Sequence, residues 1–223
     1  MKRFLRENGL SIVWLGLFFV TFSAGQSYAG FLENNSDLRE HNKPEISYAA
    51  YLTSPHFFEA TMENWESEFL QMFLFVLLTA FLYQKGSAES KKLDEPEPSD
   101  RDPRLSRNKK DAPWPVRKGG IILKLYEHSL SLAFFLLFAF SFFLHAASGA
   151  REYNEDQSIH AVGEQVTTLG YLGTSRFWFE SLQNWQSEFL AVGMMVVLSI
   201  WLRQRGSPES KPVDAPHSET GKG

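Results

Sequence analysis

Two stretches of this chain leave little choice of environment. Residues 10–24 (LSIVWLGLFFVTFSA) and 130–147 (LSLAFFLLFAFSFFLHAA) contain no Asp, Glu, Lys or Arg, while the segments around them are dense with charge. A helix that is apolar on every side has no face to offer water, so it is buried in a large core or set in lipid. Two further runs, residues 69–83 (FLQMFLFVLLTAFLY) and 189–202 (FLAVGMMVVLSIWL), are equally free of ionised groups but shorter. Crossing a bilayer takes about 20 mostly apolar residues, so each must borrow an outer turn from the Asn-Trp-x-Ser-Glu before it. In a chain of 223 residues nothing remains to cover four such helices with amphipathic partners. Lipid is the favoured surrounding.

The chain also writes itself twice. At a constant offset of 120 positions, Leu5 falls on Leu125, Leu10-Ser11 on Leu130-Ser131, Asn34 on Asn154, Tyr51-Leu52 on Tyr171-Leu172, and Phe57 on Phe177. The phrase NWESEFL (residues 64–70) returns as NWQSEFL (184–190), and GSAESK (86–91) returns as GSPESK (206–211). Agreement over nearly the whole length of both halves points to an internal duplication. Each half reads as helix, long polar loop, helix and charged exit.

Basic residues orient the halves. They crowd the start, the connection from Lys85 to Lys124 and the exit from Arg203 to Lys211, whereas residues 30–63 hold only Arg39 and Lys43, and 149–183 only Arg151 and Arg176. Positive charge marks the cytoplasmic side, so both termini and the middle connection are expected inside. With two spans per half the repeats are parallel. Lys2-Arg3, an apolar stretch and Ser27-Tyr28-Ala29 together imitate a cleavable leader, but the matching stretch at 130–147 lies in mid-chain, so the first span is expected to be retained. The chain lacks cysteine, which removes disulfides and thiolate metal ligands.

These signals predict an all-α integral membrane protein of four transmembrane helices, built as two parallel helical-hairpin repeats with helical extracytoplasmic caps. Residues 1–86 form the first repeat and 119–206 the second. Residues 87–118, rich in Pro, Ser and charge, read as a flexible cytoplasmic linker, and 207–223 as a disordered cytoplasmic tail. Ser47 and Thr53-Ser54-Pro55 are helix-start signals, as is Thr174-Ser175 in the second half. Gly86 and Gly206 read as C-caps of the second and fourth helices.

Candidate chemistry gathers on the repeated phrase. At 100° per residue Asn64 and Glu68 share a helix face, as do Asn184 and Glu188, and polar atoms on a spanning helix are expected to look into the bundle. Trp65 and Trp185 fit an interfacial aromatic belt. His145, near the outer end of the third span and matched by Gly25 in the ungapped register, is expected at the depth of Glu68 and Glu188, where the three could bind a proton or cation. The plainer role for both glutamates is to fix packing between helices. The outer-loop histidines have no ligand spacing, so neither a metal nor a cofactor is expected. No phosphate loop, nucleophile elbow or kinase signature is present, and no enzymatic activity is expected.

The doubled phrases NWESEFLQMF with YQKGSAESKK, and NWQSEFL with RQRGSPESK, resemble an uncharacterised family of bacterial integral membrane proteins of unknown function. The resemblance covers all but the linker and tail. It implies a bacterial inner-membrane protein and brings no activity with it. A structural or interaction protein of the cell envelope is the first expectation, and a small proton- or cation-conducting protein using the paired glutamates the second. The expected partners are the lipid bilayer and either a second copy or another envelope protein, with no nucleic acid.

Overall fold

A computed structural model describes residues 2–160 and 165–221, and every regular element among them is helical. The chain divides into two compact units. One is built from residues up to Trp65 together with Ser141–Glu180, the other from Glu66–Phe140 together with residues from Ser181 onward.

In the first unit, α1 (Lys2–Thr21) runs through a π-helical stretch (Phe22–Ala29) into α2 (Gly30–Glu40). A one-turn helix, α3 (Tyr48–Tyr51), precedes the start of α4 (Pro55–Leu78). The second half supplies the distal part of α7 (Ser129–His160), the one-turn α8 (Thr168–Tyr171) and the start of α9 (Ser175–Leu198). The starts obey their capping chemistry. Ser47 accepts from the Ala50 amide and Ser54 from Phe57, while Thr167 accepts from Gly170 and Thr174 from Phe177, each satisfying an otherwise orphaned first-turn donor. Tyr51, Phe57, Tyr171, Phe177, Ala146 and Ala150 are all buried.

The two halves make matching contacts in a register that the ungapped comparison misses. Gly30 lies under Tyr51 and Gly149 under Tyr171. The Asn35 side chain brackets the backbone of Ile46 with two hydrogen bonds, as Asn154 brackets Val166. The tyrosines are 120 positions apart but the glycines and asparagines 119. A π-helical turn takes up more residues than an α-helical one, so the stretch at Phe22–Ala29 absorbs one extra residue that α7 lacks. Asn35, not Asn34, therefore does the work of Asn154, and the counterpart of His145 is Gln26 rather than Gly25.

A methyl group added at Gly149 would sit 2.5 Å from Cε1 of the wholly buried Tyr171 ring. Helix propensity favours Gly149→Ala by about 1 kcal/mol, but overpacking against a ring with nowhere to go costs about 2–3 kcal/mol. Thermal unfolding is expected to show Gly149→Ala destabilised and Gly16→Ala, which meets nothing within 4 Å, stabilised.

In the second unit, α4 and α9 end at Leu78 and Leu198. This corrects the expectation that they run on to Gly86 and Gly206. Both close through the same tightened bonds, from Ala80 to Leu77 and Phe81 to Leu78, and from Ile200 to Val197 and Trp201 to Leu198. The Arg203 guanidinium then takes the carbonyls of Ser199, Ile200 and Leu202, which the end of α9 leaves open. Gly86 (φ +87°) and Gly206 (φ +85°) do adopt the left-handed backbone that glycine favours, but in a later turn. The helical part of each shorter apolar run is consequently about 15 Å long, half a bilayer core.

The repeated GSxESK phrase is that later turn. Ser87 accepts from the Glu89 amide and Ser90 from Gln84; Ser207 accepts from Glu209 and Ser210 from Gln204. The phrase is a self-closing fold of the backbone written twice. Its two lysines diverge: Lys91 pairs with Asp100 at 2.6 Å, while Lys211 is 1% exposed and gives its ammonium to the carbonyls of Gly86, Pro216, His217 and Glu219. The segment read as a linker carries 3-10 turns at Pro98–Asp100 and Pro103–Ser106 and a short α5 (Trp114–Lys118), then leads into α6 (Gly120–Glu127). The segment read as a free tail is tied back where the Gly221 amide meets the Ser87 carbonyl and the Thr220 hydroxyl meets the Gly86 amide.

Two helices among the described residues, Arg3–Glu40 and Ser129–Ser158, are long and apolar enough to cross a membrane.

Candidate functional site

The first unit concentrates ionisable groups where its helices meet. Glu59 comes from α4, His145 from α7, Glu180 and Arg176 from α9, and Tyr171 from α8. One ligand-type atom each from Glu59, His145 and Glu180 lies within 4.8 Å of the others. His145 is wholly buried, its ring stacked on Phe177 at 4.9 Å and its Nε2 facing Glu180 Oε2 at 3.5 Å. The Tyr171 hydroxyl donates to the same Oε2 at 2.6 Å. Arg176 donates from Nε to Glu180 Oε1 at 2.9 Å and from Nη1 to Asp156 at 2.7 Å.

This arrangement drives two carboxyls in opposite directions. Burial pushes Glu59 up, the charges of Glu180 and Glu63 push it further against His145 and Arg176, and it reaches about 7. Burial also opposes ionisation of Glu180, but hydrogen bonds from His145, Tyr171 and Arg176 outweigh it and hold that carboxyl below its usual range. Glu180 is thus the anchored anion. Glu59 is 8% exposed and, among the described residues, no hydrogen bond reaches its carboxylate. In the first half His56 stands where Arg176 stands in the second; burial lowers its basicity in spite of Asp156, Asp37 and Glu33 nearby.

The residues expected from the sequence are placed differently. Glu68 is exposed and Glu188 half-buried, and the two are near enough for the charge of Glu68 to act on Glu188. The buried glutamate of the repeated phrase is Glu66, whose Oε1 accepts from Trp185 Nε1 at 3.1 Å. Asn64 is exposed and returns its amide to the Ala60 carbonyl; Asn184 is half-buried. Trp65 is also half-buried, against the rings of Phe18 and Phe22, and Trp185 packs on Phe138. Both tryptophans make inward contacts beyond those an interfacial anchor needs. His145 belongs to the first unit with Glu59 and Glu180, while Glu68 and Glu188 belong to the second. Within the first unit His145 is grouped with Glu59 and Glu180.

The cluster is made of residues that the two halves do not share. Glu59 has Phe179 as its counterpart, Glu180 has Ala60, and His145 has Gln26. Glu66 was hidden for the same reason, since Gln186 takes its place in the second copy. The usable signal was the set of charged differences between the copies.

The second unit holds a largely apolar cavity of about 540 Å³ lined by Leu74, Phe75, Leu78, Phe189 and Val192, with Gln71, Thr79, Gln84, Glu89 and Ser90 as polar members. Neither a curated protein nor a solved structure matches the chain. A family model does match, over residues 1–222, and the chain belongs to that family, a domain of unknown function designated DUF6766.

Proposed function

We propose that the chain is a bacterial integral membrane protein with a structural or interaction role in the cell envelope. The observation that carries this reading is the exposed apolar surface of the two long helices. Leu10 is 74% exposed, Trp14 66% and Phe143 63%, and of the most apolar window none is buried in the first helix and 17% in the second. A contiguous apolar surface of that extent is stable only against lipid or another apolar face.

In this reading α1 and α7 each cross the inner membrane, and the apolar ends of α4 and α9 with the turns after them enter the same layer, making four inserted segments in two parallel repeats. The basic residues put both termini and residues 87–118 in the cytoplasm. The contacts shared at Gly30–Tyr51 and Gly149–Tyr171 support a duplication read with a one-residue shift. The role is non-enzymatic, and the partner is a second copy or another envelope protein.

The chain has no native cysteine, so single substitutions report topology cleanly. In intact bacterial cells an impermeant maleimide is expected to label Thr53→Cys but to reach Ser99→Cys only after permeabilisation. Labelling of Ser99→Cys from outside, or recovery of the chain in the carbonate-washed soluble fraction, overturns the membrane reading. Mild-detergent purification is expected to give a dimer or a complex. A monomer without a partner removes the interaction role.

A further inference from the structure

We propose that Glu59, His145 and Glu180 form a binding site for one divalent transition-metal ion. The site goes beyond the membrane reading and does not depend on it. Three observations carry it.

The first is convergence. Ligand atoms from three separate helices lie within 4.8 Å of one another in a buried pocket, and Glu180 Oε2 and His145 Nε2 are already 3.5 Å apart. Metal–ligand bonds of about 2.0–2.2 Å put neighbouring ligand atoms roughly 3–4 Å apart, so closing on an ion needs only a small inward rotation of Glu59. The second is the state of Glu59: a carboxylate 8% exposed, aimed at another carboxylate and an imidazole, with no hydrogen bond to it among the described residues. Buried polar groups are ordinarily paired, and an ion is the partner that this donor set suits.

The third is the surrounding shell. Tyr171 and Arg176 both donate to Glu180, orienting it as an outer shell orients a metal-binding carboxylate. Glu59, Glu180 and Asp156 outnumber the single guanidinium of Arg176, an excess of negative charge that a bound cation would offset. The imidazole beside two carboxylates, with no sulfur, suits a first-row divalent ion such as Zn²⁺ or Mn²⁺ better than Ca²⁺ or Mg²⁺, which favour all-oxygen sets. Because the ligands occupy non-equivalent positions in the two halves, one chain holds one such site.

The test uses the purified full chain after chelation, titrated with Zn²⁺ alone and with Mn²⁺ alone. Equilibrium dialysis with metal analysis is expected to give one ion per chain for at least one metal, with a saturable rise in Tm. Glu59→Gln removes a ligand while preserving shape. It is expected to fold with an unchanged or higher metal-free Tm, bind at least tenfold more weakly and lose the metal-dependent rise. Absence of saturable binding by the native chain, or equal binding by Glu59→Gln, overturns the site. So does a native chain whose stability responds to protons but to neither metal.

Discussion

Replacing Lys211 with methionine is expected to release the end of the chain. Methionine matches the length of the lysine side chain but brings no donor, and it leaves the carbonyls of Gly86, Pro216, His217 and Glu219 without the ammonium that joins them. Hydrogen bonds to a charged group contribute about 1.5–3 kcal/mol each but are far from additive when one atom makes them all. Losing the whole buried set is expected to cost about 3 kcal/mol, or on the order of a hundredfold in local opening. The amides of Gly86 and Gly221, bonded to Thr220 and Ser87, report it directly in hydrogen exchange. Lys91→Met, at the matching position of the first copy, breaks a surface pair with Asp100 and is expected to leave the protection of these amides as in the native chain. Equal protection in the two variants would mean that the buried ammonium holds nothing in place.

The second large effect is in pH. Glu59 rises from 4.5 to about 7 on folding, so the folded state keeps a proton that the unfolded chain gives up. Stability from this group is complete below about 4.5 and is lost as pH rises toward 7, to a total of about 3 kcal/mol. Glu180 acts in the other direction. Its folded value is depressed, so its contribution is present above the ordinary carboxylate range and is lost only in stronger acid. His56, whose basicity is lowered, adds stability as pH rises toward 6.5 and partly masks the slope from Glu59. The groups facing Glu59 include Glu180, Glu63, Glu152, His145 and Arg176, and all remain in Glu59→Gln. The difference between native chain and Glu59→Gln in metal-free buffer therefore reports Glu59 together with its coupling to those groups. Between pH 4.5 and 7.5 the native chain should lose stability relative to the variant, and parallel Tm profiles would show that burial of this carboxyl carries no penalty.

Much of the helical framework could be read in advance. The capping hydroxyls at Ser47, Ser54 and Thr174 were visible because a cap is a local device, satisfied by amides two or three residues away. The ends at Leu78 and Leu198 were not, because glycine marks a turn without saying which turn. In each copy the chain first closes with tightened bonds and reaches Gly86 or Gly206 only afterwards. The GSxESK phrase was evident as a repeat, but its purpose emerged only once each serine was seen closing on its own backbone.

What the sequence determined by itself is therefore the all-helical class, the two long apolar helices and the places where helices begin. These follow from composition and from contacts within a turn, which the order of residues states directly. Tertiary structure supplied the cause of the one-residue shift between the halves, the π-helical stretch at Phe22–Ala29, beyond which Gly30, Glu33, Asn35 and Asp37 align with Gly149, Glu152, Asn154 and Asp156. It also decided which acids are buried, choosing Glu59 and Glu66 over Glu68. The physical reason is the same in both cases. A π-helical turn rotates everything beyond it, and the burial of a carboxylate is set by neighbours on other helices, which no spacing along one helix can encode.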